Sequence, residues 1–207
     1  MRLRTAFLLL LMLVSLPLAA KEITFSGGST RIRMQQGFET ISLSGGAKVS
    51  SDSLTLEAKE ITLSGSDYRY IRCSGNVRLV DSERGIRLSS EQLFYDREEE
   101  LVLISGYVEL EDTVNEVLAS AFSLEFNLNQ ALVLLQVEVR LLKSTERGYM
   151  ECKSDSLQFD RDAQSLVLEG NATIDWAKDY YKAELISVDL DTEEITMGGS
   201  IEGVIYG

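Results

Sequence analysis

The sequence predicts an all-β protein of antiparallel strands, and three observations predict it. Five alternate apolar positions recur six times at a period near 30 residues, polar residues fill the positions between them, and no proline follows Pro17. Strict alternation over nine residues describes a half-buried strand with one wet face. Amphipathic helices would instead place apolar residues three and four apart. A chain without proline deprives no strand interior of a ladder donor.

The repeat is read in order along the chain. Its first copy is Ile41, Leu43, Gly45, Ala47 and Val49, and the second is Ile71, Cys73, Gly75, Val77 and Leu79. Val102, Ile104, Gly106, Val108 and Leu110 form the third, and Val133, Leu135, Val137, Val139 and Leu141 the fourth, with valine at the centre. Leu166, Leu168, Gly170, Ala172 and Ile174, then Ile195, Met197, Gly199, Ile201 and Gly203, complete the series. Self-similarity at such a fixed period decides architecture before any local assignment.

A shorter apolar-x-apolar element precedes most centres: Leu54 to Glu57, Leu93 to Asp96, Leu124 to Asn127, Leu157 to Asp160 and Ile186 to Asp189. Each runs into an acidic or amide residue and then a charged stretch. That is turn chemistry, because Asp and Asn side chains bond their own backbone and tolerate unusual dihedrals. Each repeat therefore reads as strand, turn, strand. A glycine inside a strand weakens it unless the backbone bends there. Recurring at every centre but one, it implies a bend shared by stacked strands, which a sandwich, a jelly roll or a trough would each satisfy.

The ends of the chain carry expectations of their own. Arg2 and Arg4, the apolar run Ala6 to Leu16 and the small residues Ala19 and Ala20 predict a signal peptide over residues 1–20, cleaved to release a periplasmic domain of residues 21–207. The apolar run is too short to span a bilayer. Loss of Arg2 and Arg4 takes the net charge of −13 to −15, which repels nucleic acid and anionic membrane surfaces. The segments from Ile23 to Met34 and from Ile201 to Tyr206 are candidate sheet edges, open to strand addition by a partner.

Absences narrow the chemistry. There is no histidine, which removes the usual general base and zinc ligand and every Ser-His-Asp arrangement. The acidic turns Asp160-Arg161-Asp162 and Asp189 to Glu193 lack the glycine and spacing of a calcium loop. Asn171-Ala172-Thr173 matches a glycosylation acceptor but falls in a strand. The expectation is a non-enzyme without metal or cofactor. Cys73 and Cys152 permit one disulfide, and their apolar phase equally suits two small buried hydrophobes.

The units Ser90 to Asp96 through Gly106-Tyr107-Val108, and Ser154 to Asp160 through Gly170-Asn171-Ala172, resemble the repeat of the OstA-like family of periplasmic lipopolysaccharide-transport proteins, to which LptA belongs and whose fold LptC and the N-terminal domain of LptD share. The resemblance covers residues 41–205, and departs from the pattern at Val137 and in the first segment, Ile23 to Arg31, which shows no glycine-centred fit. It implies a V-shaped β-jelly roll whose two sheets hold acyl chains in an apolar groove, with end-to-end association through edge strands. The implied partners are lipopolysaccharide or another acylated glycolipid, further copies of the chain, and LptC-like and LptD-like proteins; the leader and the lack of a following barrel point to the LptA-like role.

Candidate groove residues are Leu56, Val77, Leu79, Leu93, Tyr95, Ile104, Val108, Leu110, Phe126, Leu135, Val139, Phe159 and Leu168, and candidate edge contacts are Ile23, Phe25, Ile201 and Ile205. Acyl burial at about 0.8 kcal/mol per CH₂ would have to supply affinity that the acidic charge cannot. Arg72, Arg78 and Arg140 on the wet phase are the basic side chains nearest such a ligand's headgroup. The rival reading is a structural β-repeat scaffold, adhesin or assembly module whose interior is simply packed.

Overall fold

The structure, a computed structural model, describes residues 22–35 and 39–206. The expected leader at 1–20 lies outside the described residues.

Fourteen strands form one antiparallel sheet: β1 (Thr24–Ser26), β2 (Ser29–Arg33), β3 (Thr40–Ser51), β4 (Leu54–Ser64), β5 (Tyr70–Asp81), β6 (Ile86–Asp96), β7 (Leu101–Asp112), β8 (Val117–Asn127), β9 (Leu132–Thr145), β10 (Gly148–Asp160), β11 (Ser165–Trp176), β12 (Asp179–Asp189), β13 (Glu194–Gly198) and β14 (Glu202–Val204). From β3 to β12 every strand pairs with its neighbours in sequence, and the all-β expectation holds. A 3-10 turn at Ser66–Tyr68 is the one helical element among the described residues.

A bend crosses every long strand at the repeat centres. At each crossing one strand uses one residue more than its neighbour: β3 goes from Ser44 to Ala47 while β4 goes from Glu60 to Ala58, and β7 from Ser105 to Val108 while β8 goes from Ser123 to Ala121. These bulges sharpen the local twist and bend the sheet. The backbone there enters the left-handed region in pairs: Gly45-Gly46, Gly75-Asn76, Gly170-Asn171 and Val137-Glu138. Glycine and asparagine reach that region cheaply, whereas valine does so at a cost of about 1–2 kcal/mol. The first segment also breaks on this line, at Gly27-Gly28 between β1 and β2; a Cβ on Gly28 would stand 3.0 Å from the Gly45 carbonyl oxygen.

The short second element of each repeat proves to be a full strand, as in β6, β8 and β12. Its buried positions change parity at the bend, from Val117, Ala119 and Ala121 to Leu124 and Phe126. A search for unbroken alternation finds only the half on one side of that change.

The bend divides the sheet into two arms, each bordered by a row of turns. In one row lie residues 97–100, 128–131, 161–164 and 190–193; in the other lie 82–85, 113–116 and 146–147. Successive turns in a row bond to one another, Leu128 N–H to the Glu100 carbonyl at 2.9 Å and Thr113 N–H to the Gly85 carbonyl at 2.9 Å. Most turns open with an acidic residue that caps them, for example Asp112 Oδ1 accepting from the N–H groups of Val114 (3.1 Å) and Asn115 (3.0 Å), and Asp160 Oδ1 from Asp162 (3.1 Å) and Ala163 (2.8 Å). The turn chemistry expected of these carboxylates is present, and it occupies the ones that superficially suggested calcium loops.

Candidate functional site

The candidate groove residues come together on one surface. Leu56, Val77, Leu79, Leu93, Tyr95, Ile104, Val108, Leu110, Phe126, Leu135, Val139, Phe159 and Leu168 are all buried in a single hydrophobic cluster that runs from β3 to β12. Strand pairing makes the surface continuous: Phe126 stands between Val102 and Val133, and Leu135 between Leu124 and Leu157. Leu168 stands between Leu157 and Ile186.

The two arms close on each other. Phe126 exposes 0%, Leu56 0% and Leu135 1% of their surface, so no water-sized space borders them. Tyr95 is the most exposed of the set at 8%, and desolvation pushes its phenol up to about 12, with the nearby Glu100 carboxylate adding to the rise. A cavity of about 40 Å³ lies beside it under Leu54, Asp81, Arg84 and Leu128.

What holds the arms together is a polar seam between the two rows of turns, which the sequence did not reveal. Arg161, in the turn after β10, donates from Nε to Asp112 Oδ2 at 2.6 Å and from Nη2 to the Arg84 carbonyl at 2.9 Å, both at the end of the opposite arm. The side chains of this pair are 8% and 0% exposed. Gln164 Nε2 donates to Asn115 Oδ1 at 2.6 Å, and Arg84 pairs with Glu100 at 3.2 Å while also holding Asp81 at 2.9 Å. Desolvation pushes the Asp112 carboxyl up, but the hydrogen bonds from Arg161 and Asn115 outweigh it and hold the group below its ordinary value of 3.8. Asp81 is held low in the same way, desolvation again opposed by hydrogen bonds from Arg84.

Toward the C-terminal end the seam loosens. There the turn after β9 faces the turn after β12 across a cleft of about 780 Å³, and the ion pair that crosses it joins Arg147 to Glu193 at 3.9 Å.

At the two ends of the sheet the inner face runs out to solvent. Ile23 is partly buried against the core and Phe25, opposite Val49, is 40% exposed. Ile201 and Ile205 are exposed and flank β14 rather than standing in it, because that strand spans only Glu202–Val204. The possible bridge between Cys73 and Cys152 is not formed. Cys73 lies before the bend of β5 and Cys152 in the opposite arm, on β10, so both serve as small hydrophobes. Desolvation pushes both thiols up to about 12. Arg72 lies on the outer surface, its guanidinium 5.5 Å from the Phe94 ring, and Arg78 and Arg140 are likewise exposed. Among the described residues no cluster of three metal-ligating side chains forms.

No family model matches the chain, and no curated protein matches it. Among solved structures it is similar to LptH of Pseudomonas aeruginosa, described as the LptA homologous periplasmic component of the conserved lipopolysaccharide transport device. That match has 12% identity over 90% of this chain and 96% of the other, with a TM-score of 0.27.

Proposed function

We propose that the protein is a periplasmic carrier of acylated glycolipids, lipopolysaccharide among them, acting as a single OstA-like domain that takes acyl chains between the two arms of its sheet. One observation carries the reading. The apolar inner face runs unbroken through the sheet, and its long open side is closed by side chains and turn contacts rather than by a strand ladder. Parting the arms therefore breaks no interstrand backbone hydrogen bond.

The driving force would be burial of the chain at about 0.8 kcal/mol per CH₂, since a protein with 33 acidic against 20 basic residues does not attract phosphates. Headgroups would stay outside, toward the exposed arginines. Exposed apolar side chains at both ends of the sheet, Phe25, Ile201 and Ile205, favour end-to-end contact with further copies or with LptC-like and LptD-like partners.

The test is lipid analysis of the purified protein by mass spectrometry, followed by displacement of a fluorescent acyl probe. Bound acylated lipid and saturable displacement are expected. Protein that is folded by circular dichroism yet carries no lipid and binds no probe would establish the second reading, a packed structural scaffold, which the near-zero exposure of Leu56 and Phe126 favours.

A further inference from the structure

The seam is uneven in strength, and the unevenness indicates where it opens. In its middle, Arg161 alone makes contacts at 2.6 and 2.9 Å across the seam, and Gln164 to Asn115 adds a third at 2.6 Å. At the C-terminal end the crossing ion pair stretches to 3.9 Å between side chains that are 46% and 37% exposed. An exposed ion pair of that length holds weakly, whereas a short buried pair resists separation strongly. Of these two places, the one between the turn after β9 and the turn after β12 holds the arms less firmly.

The floor of the cleft at that end is the inner face itself. Met150, Trp176 and Val188 line it, and all three belong to the hydrophobic cluster. Trp176, the chain's one tryptophan, is 3% exposed. The Arg147 guanidinium lies 4.4 Å from the centre of its ring, and its indole N–H donates to Thr145 Oγ1 at 3.0 Å. Arg147 thus covers the tryptophan while reaching toward Glu193 on the other arm. The rim is acidic: Glu116, Glu146, Asp189, Asp191 and Glu193 face Lys143 and Arg147. Such a rim disfavours an anionic headgroup and leaves the end of an aliphatic chain as the part of an amphiphile that can enter.

We propose that this end of the seam is the mouth through which an aliphatic chain reaches the interior, with Arg147 as its latch and Trp176 as the first core side chain the chain meets. The proposal rests on the carrier reading above and adds to it a place of entry.

Trp176 is its own reporter. A dodecyl maltoside brominated along its alkyl chain, used below its micelle concentration, quenches an indole that it touches. Wild-type protein is expected to show saturable quenching. Replacing Arg147→Cys and Glu193→Cys and joining them with a bis-maleimide should slow quenching at least tenfold. Joining Asn115→Cys to Gln164→Cys, where the seam is already tight, should leave the rate unchanged, and buried Cys73 and Cys152 do not compete for the reagent. Quenching at the wild-type rate in the 147–193 tether overturns the proposal, and slowing by both tethers alike overturns a mouth confined to this end. A fluorescent acyl probe that binds while Trp176 stays unquenched overturns the mouth but leaves the carrier reading standing. No binding of any acyl probe overturns both.

Discussion

Removing the guanidinium at the middle of the seam gives the sharpest energetic test. In Arg161→Met the Asp112 carboxylate, whose side chain is 0% exposed, loses the 2.6 Å and 3.3 Å bonds from Arg161 and keeps those from Val114, Asn115 and the Asn115 amide. Leaving one member of a buried pair alone costs about 3–5 kcal/mol, and the three remaining donors place this case near 3 kcal/mol. With a urea m-value of about 2 kcal/mol/M for a domain of this size, the unfolding midpoint should fall by about 1.5 M. The effect has a pH signature. Asp112 is held below its ordinary 3.8 in the folded state, so its contribution is fully present above that value and is lost as pH falls through the folded one. The deficit of the variant should therefore be constant between about pH 5 and 8 and narrow as pH drops below about 4. A deficit under about 1 kcal/mol at neutral pH, or one undiminished in acid, would refute the assignment of Arg161 as the clasp of the seam.

Other expectations follow from the same geometry. Val137→Gly should stabilise the protein by about 1 kcal/mol in urea melts, because φ at Val137 is 66° and its side chain is 55% exposed, so strain is relieved with little burial lost; destabilisation would show that the bend is not strained there. Leu135→Ala should cost about 2–5 kcal/mol by leaving a void among Leu124 and Leu157, and a smaller loss would mean that the interior is not close-packed around it. Cys73 and Cys152, with thiols near 12, should resist maleimide at pH 7.5 in native protein and react in urea; rapid native labelling would contradict their burial.

Much of this architecture was legible in the sequence because a strand's side-chain period is two, and five alternate apolar positions leave little else to choose. Ile104, Val108 and Leu110 are buried on one face as their spacing implied. The partner strands were only half visible, since a bulge changes the inward parity between Ala121 and Leu124 and an alternation pattern stops there. A signal that was present and unread is the second residue of each centre: Asn76 and Asn171 follow their glycines, and both adopt positive φ. The seam was illegible for a different reason. Asp112 and Arg161 lie 49 residues apart and meet only because the sheet doubles over, and nothing local in either turn announces the other.

The stacking of the turns has a consequence for how such a protein grows. From β3 to β12 each strand is bonded to its neighbours in sequence, and most turns are also bonded through the backbone to the next turn in their row. Stability in such an array is close to a sum of unit and nearest-neighbour contributions, to which the clasp of Arg161 on Asp112 and the Arg84 carbonyl adds one of longer range. Inserting or deleting one whole repeat of about thirty residues outside residues 84–161 would lengthen or shorten the molecule by one hairpin while leaving the Arg161 clasp and the rest of the ladder in place. The length of the apolar interior is thus a quantity that duplication of a single segment can set.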